Sequence, residues 1–125
     1  MTSLLGRSRK PDLTVHRHGK IDITARTAKT LGLRKGDVVD IVEDGGEYYL
    51  TVRHRAEDTV GRHEGVVSPT NPRCLRHHNF RCYSRKLAKA VMEICGADGR
   101  DSLRLMTGEE VEIDGRKAVC VIMRS

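Results

Sequence analysis

Tryptophan is absent from this chain of 125 residues, and a single phenylalanine accompanies three tyrosines. Aromatic residues make up 3% of the sequence, so any core must be aliphatic and thin. The length suits one ordinary domain or two very small ones. A unit of half this length buries too little surface to stand alone, so interleaving with a second copy is expected. No apolar run approaches the ~18 residues needed to span a bilayer. Arg7, Arg9 and Lys10 precede no apolar stretch of the kind a secretory signal carries. The expectation is therefore a cytoplasmic protein without a membrane partner.

Several chemistries also lack their signatures. Nucleophile elbow, P-loop, metal-hydrolase helix and paired carboxylates are all missing, so an enzyme is not expected and no cofactor is called for. The four cysteines, Cys74, Cys82, Cys95 and Cys120, contain no C-x2-C pair. In a reducing compartment they are free thiols. Cys74, His77, His78 and Cys82 have a spacing compatible with zinc. That stretch already reads as a turn and a strand, and no metal is expected there.

What the chain does have is charge, sorted into blocks. The net charge is +6. Nine basic residues face two acidic ones from Met1 to Gly36, then two face seven from Asp37 to Val60. From Gly61 to Ala90 seven basic residues face one acidic, and from Val91 to Ser125 five face seven. A basic, acidic, basic, acidic order is unusual for a uniformly solvated surface. It suits a protein that offers positive faces to a polyanion.

The local patterns give a two-part plan. Residues 1–12 read as a flexible basic arm, 13–52 as a first unit, 53–72 as a linker and 73–125 as a second, divergent unit. In the first, Leu13 to Val15 starts a strand and His18-Gly19 turns the chain. Ile21 and Ile23 flank Asp22 as a strand with one buried face. Thr24 is placed to cap a helix over Ala25 to Leu31 with its hydroxyl, and Gly32 to stop it. Val38 to Val42 and Glu47 to Val52 form a hairpin across Asp44-Gly45-Gly46. At an offset of 60 the plan recurs. Val15 to Gly19 matches Leu75 to Asn79, Thr24 matches Ser84, and Ala28-Lys29 matches Ala88-Lys89. The second helix spans Arg85 to Ile94, with Leu87, Ala90, Val91 and Ile94 as its apolar stripe and Gly96 as its stop. Ser102 to Met106 and Lys117 to Met123 are strands, with Val111 to Ile113 a short one between them and Asp114-Gly115 a turn. Ala118 to Met123 is so apolar that it reads as a central strand covered on both faces.

Gly19 to Ile41, G-K-I-D-I-T-A-R-T-A-K-T-L-G-L-R-K-G-D-V-V-D-I, resembles the AbrB/MazE/SpoVT family of swapped-hairpin domains. The shared features are Gly followed by a basic residue, alternating aliphatics, and a small basic helix closed by Leu-Gly. Gly-Asp and an aliphatic strand complete them. Thr24 stands where the family usually has Pro, and Ala28 where a second basic helix residue is common. The resemblance implies a mainly β fold with short helices, built here as two swapped-hairpin units in tandem. It also implies a homodimer that binds double-stranded DNA as a transcriptional regulator. The family's basic residue after the turn corresponds to Lys20, and its helix contact to Lys29, with Arg26 nearby.

Adding the surrounding charge, the expected DNA contacts are Arg17, Lys20, Arg26, Lys29, Arg34 and Lys35. In the second unit they are Arg76, Arg81, Arg85, Lys86 and Lys89. Some members of that family are antitoxins whose acidic tails wrap a toxin. This chain carries apolar Ala118 to Met123 instead, so a toxin partner is not favoured. A protein-interaction module with incidental charge is the alternative from another class.

Overall fold

The computed structural model describes residues 12–54, 64–71, 79–97 and 99–123. Alternating apolar residues build β1 (Leu13–His16) and β2 (Lys20–Ile23), joined by a turn at Gly19. Next come α1 (Ala25–Leu31), the hairpin β3 (Val38–Asp44) and β4 (Glu47–Arg53), and a short β5 (Ser68–Pro69). β6 (Phe80–Tyr83), α2 (Arg85–Ile94), β7 (Ser102–Ile113) and β8 (Arg116–Ile122) complete the order.

The strands form an antiparallel sheet curled as a half-barrel, in the order β3-β4-β8-β7-β1-β2-β6-β5. Its two ends approach each other. Val39 N donates to Gly65 O at 3.0 Å and Val67 N to Asp37 O at 2.8 Å, on either side of a Val38–Val66 bridge. Glu64 to Asn71, read from the sequence as linker, therefore contributes β5 and the fully buried Val67. Its apolar pair Val66-Val67 had been hidden among Gly, Ser, Pro and charge.

β2 and β6 begin at positions 20 and 80, and pair directly, Ile21 against Cys82 and Asp22 against Arg81. β4 likewise pairs with β8, Leu50 against Val119. One aliphatic core results, with Leu13, Val15, Ile23, Leu31, Leu50, Val91, Leu103, Leu105 and Val119 essentially inaccessible. Burying such side chains contributes roughly 1.5–3 kcal/mol each before entropy is set against it.

Three expectations are corrected. β7 is one strand of 12 residues, not two short ones. An irregularity between Thr107 and Glu110 lets it bend without breaking the ladder. β8 is not covered on both faces: Ala118, Val119 and Val121 are buried, but Ile122 is 41% exposed. Val119 and Val121 share a buried face, while on the opposite face cover falls away from buried Ala118 through half-buried Cys120 to exposed Ile122. On α2 the buried residues are Ala88, Val91 and Met92. Leu87 is only half-buried, and Ala90 and Ile94 lie in solvent. The helix is rotated so that Ala88, small enough for close approach, meets the sheet.

Both hairpin tips follow sequence chemistry. Gly45 and Gly46 have φ of 62° and 86°, and Asp114 and Gly115 have 51° and 77°. Positive φ at both central residues is the type I′ turn that matches strand twist. No helix among the described residues is long and apolar enough to cross a membrane.

Candidate nucleic-acid interface

The turn between β1 and β2 sits directly on the start of α2. Gly19 N donates to His16 O at 2.9 Å, while Gly19 O accepts from Ser84 N at 2.8 Å. Gly19 has φ of +107°, and a Cβ there would come within 3.1 Å of both Arg85 N and Arg85 Cγ. Only glycine permits this approach. α2 itself is fixed by Ser84, whose Oγ accepts from Leu87 N at 3.1 Å and donates to Glu64 Oε2 at 2.6 Å. The expected Ser84 cap is present.

This docking gathers Arg17 and His18 from the turn with Arg85 and Lys89 from α2 around a cleft of about 410 Å³, which Met92 and Gly99 also line. Arg85 and Lys89 stand four residues apart, one helical turn, and so share a face. Neither has an ion-pair partner among the described residues. Arg17 Nη2 lies 3.9 Å from Asp101 Oδ1, whose side chain is 94% exposed. A contact that long and that wet neutralises little. The cleft therefore presents three permanent cations and an imidazole, drawn from residues far apart in the chain.

The other expected contacts lie elsewhere or are engaged. Lys20 is half-buried on β2; Arg26 and Lys29 project from α1 into solvent; Arg34 and Lys35 are exposed on the loop before β3. None of these five lines the cleft. Arg26 Nη2 is 3.9 Å from Asp12 Oδ1, on a carboxylate that is 3% exposed. Lys86 faces a different groove, beside β3 and β4. Arg76, Cys74, His77, His78 and the arm up to Pro11 fall outside the described residues.

Arg81 is held by a carboxylate. Its Nε donates to Asp22 Oδ1 at 2.6 Å, and Asp22 Oδ2 lies 3.1 Å from His16 Nε2. Burial pushes the Asp22 carboxyl upward, but the hydrogen bonds and charges of Arg81 and His16 outweigh it and hold the group below its ordinary value. The same hydrogen bond raises Arg81. Sequence reading could not see this neutralisation, because Asp22 and Arg81 become neighbours only through β2–β6 pairing.

Thr24 does not cap α1 with its hydroxyl. Its Oγ1 donates to Asp12 O at 3.3 Å and lies 3.3 Å from the Thr27 hydroxyl. The free amide of Ala25 is met instead by Asn79 Oδ1 at 2.8 Å. Asn79, read as a turn residue, is thus a cap for the other helix. His18 escaped the expected set because it counts as neutral; its position beside Arg17 was the available signal.

Cys82 is fully buried on β6, and burial, with the Asp22 charge, pushes its thiol up to about 12. No cluster of three metal-binding side chains occurs among the described residues. Compared with known proteins, the chain matches no family model, no curated protein and no solved structure.

Proposed function

We propose that this protein binds duplex DNA as a cytoplasmic transcriptional regulator of the AbrB type. In this reading, residues 13–52 and 73–125 are tandem swapped-hairpin units that exchange strands within one chain, and the chains associate as a homodimer. The observation that carries the proposal is the cleft shared by Arg17, His18, Arg85 and Lys89. Its cations come from both proposed units, and each would reach phosphates as the chemistry of a polyanion demands. Lys20, Arg26 and Lys29 would add contacts from α1 and the strand before it.

Further support comes from the pairing of β1 with β7, β2 with β6 and β4 with β8, each joining one proposed unit to the other. The acidic residues Glu43, Asp44, Glu47, Glu109, Glu110 and Glu112 sit on the two long hairpins. They would face away from DNA and keep the positive surface directional.

The test is anisotropy of labelled random-sequence duplexes over a range of salt. Binding should weaken as salt rises, and replacing Arg17, Arg85 and Lys89 together with Ala should reduce the log–log slope by about 2–3. Lys117→Ala, near the tip of the β7–β8 hairpin, should leave it unchanged. Absence of binding at low salt, or an unaltered slope in the triple variant, would overturn the proposal.

A further inference from the structure

A second groove runs between the β3–β4 hairpin and α2, about 410 Å³ in volume. Its apolar lining comes from Val39 and Ile41 of β3 with Leu87 and Ala90 of α2. Lys86 and Arg116 stand beside them. We propose that this groove binds a small organic anion with an apolar body.

Three observations carry the proposal. On the groove side α2 leaves Leu87 half-buried and Ala90 exposed, although its other face already supplies the core with Ala88, Val91 and Met92. Apolar surface left in water gains free energy when a ligand covers it, and here Leu87 and Ala90 border a concave space. The volume falls within the range of small-molecule sites, about 300–1,000 Å³, and is too small for a protein domain.

The charges also point one way. Three cations, Arg53, Lys86 and Arg116, line the groove against two carboxylates, Asp40 and Glu64, so its lining is net positive. Lys86 and Arg116 have no ion-pair partner among the described residues. An anionic head beside these cations, with its hydrocarbon part on Leu87 and Ala90, satisfies both features at once. A neutral ligand leaves the cations idle, and an inorganic anion leaves the apolar lining wet. The inference is independent of DNA binding.

The full-length chain should be titrated with phenylbutyrate and, separately, with phenylbutanol, while backbone amide resonances are followed. Phenylbutyrate should shift the amides of Ile41, Leu87 and Ala90, and bind at least ~10-fold more tightly than the alcohol, a ratio equal to about 1.4 kcal/mol. Lys86→Ala combined with Arg116→Ala should remove that preference. Both residues are exposed, so unchanged shifts elsewhere will report an intact fold. Ala90→Phe should narrow the groove and weaken both probes. Equal affinity for acid and alcohol, no shift with either, or shifts centred on Arg17 and Lys89 would each overturn the proposal. So would concentration-dependent broadening of the same amides without probe, which assigns the face to a second copy of the chain.

Discussion

α1 and α2 start at positions 25 and 85, each after a four-residue strand and a hydroxyl residue, yet they are held by different means. α2 has 10 residues and is capped from within by Ser84. α1 has 7, and its first amide depends on Asn79, 54 positions away. The Thr24 hydroxyl has been diverted to the carbonyl of Asp12. A helix of seven residues is marginal in water, so α1 exists because the sheet and Asn79 hold it. α2 is more self-sufficient, which allows it to leave part of its apolar surface in solvent.

The contrast can be broken first at the last residue of each helix. Leu31 is fully buried and Ile94 is 42% exposed. Leu31→Ala should lower stability by about 2–5 kcal/mol, whereas Ile94→Ala should cost about 1 kcal/mol or less. Urea unfolding midpoints measure both. Similar losses would mean that Ile94 is covered in solution.

Glycine positions give the next largest effect. Gly19→Ala places a side chain at φ +107°, against Arg85, and should cost about 1–3 kcal/mol. Gly32→Ala, at φ +68° with nothing within 4 Å of the added Cβ, should cost about 1 kcal/mol. Only the first should move Arg85, and with it the amide resonances around the Arg17 and Lys89 cleft. If both variants perturb that cleft equally, the turn is not what positions α2.

The caps come third. Ser84→Ala should destabilise by about 1 kcal/mol, as should Asn79→Ala, while Thr24→Ala should cost about 0.5 kcal/mol. Hydrogen exchange separates them: Asn79→Ala should loosen amides in α1, and Ser84→Ala those in α2. A larger loss from Thr24→Ala than from Asn79→Ala would restore the cap that the sequence suggested.

Both helix spans followed from local signals, a polar residue before and a glycine after, and both matched the structure residue for residue. The hairpin tips at Gly45-Gly46 and Asp114-Gly115 were equally local. Strand order was not, because it depends on β1 meeting β7 and β2 meeting β6 across intervening helices and strands. The cleft inherits that difficulty. Charge blocks marked Arg17, Arg85 and Lys89 as candidates, but could not single them out from Arg81, whose charge is compensated, or from Lys86, which faces another groove. The segment around Val67 was misread because two valines in a polar stretch carry too short a period to register.

The smallest effect concerns the link between β2 and β6, which holds Arg81 away from any phosphate. Asp22 is charged in the native state below its ordinary value of 3.8, because Arg81 and His16 favour its carboxylate more than burial opposes it. A carboxyl depressed by folding stabilises the protein at any pH above its unfolded value, and that contribution disappears as pH falls through the folded value. Wild type should therefore exceed Asp22→Asn in stability by a constant margin at neutral pH. The margin should shrink once pH drops below about 4, where the unfolded carboxyl begins to protonate. Chemical unfolding of both proteins across that range gives the margin directly. The same substitution releases Arg81, so it should strengthen duplex binding at neutral pH if electrostatics governs that interaction. A margin that widens on acidification would mean that the Asp22 charge is a burden in the folded state, and that the strand pair is held without it.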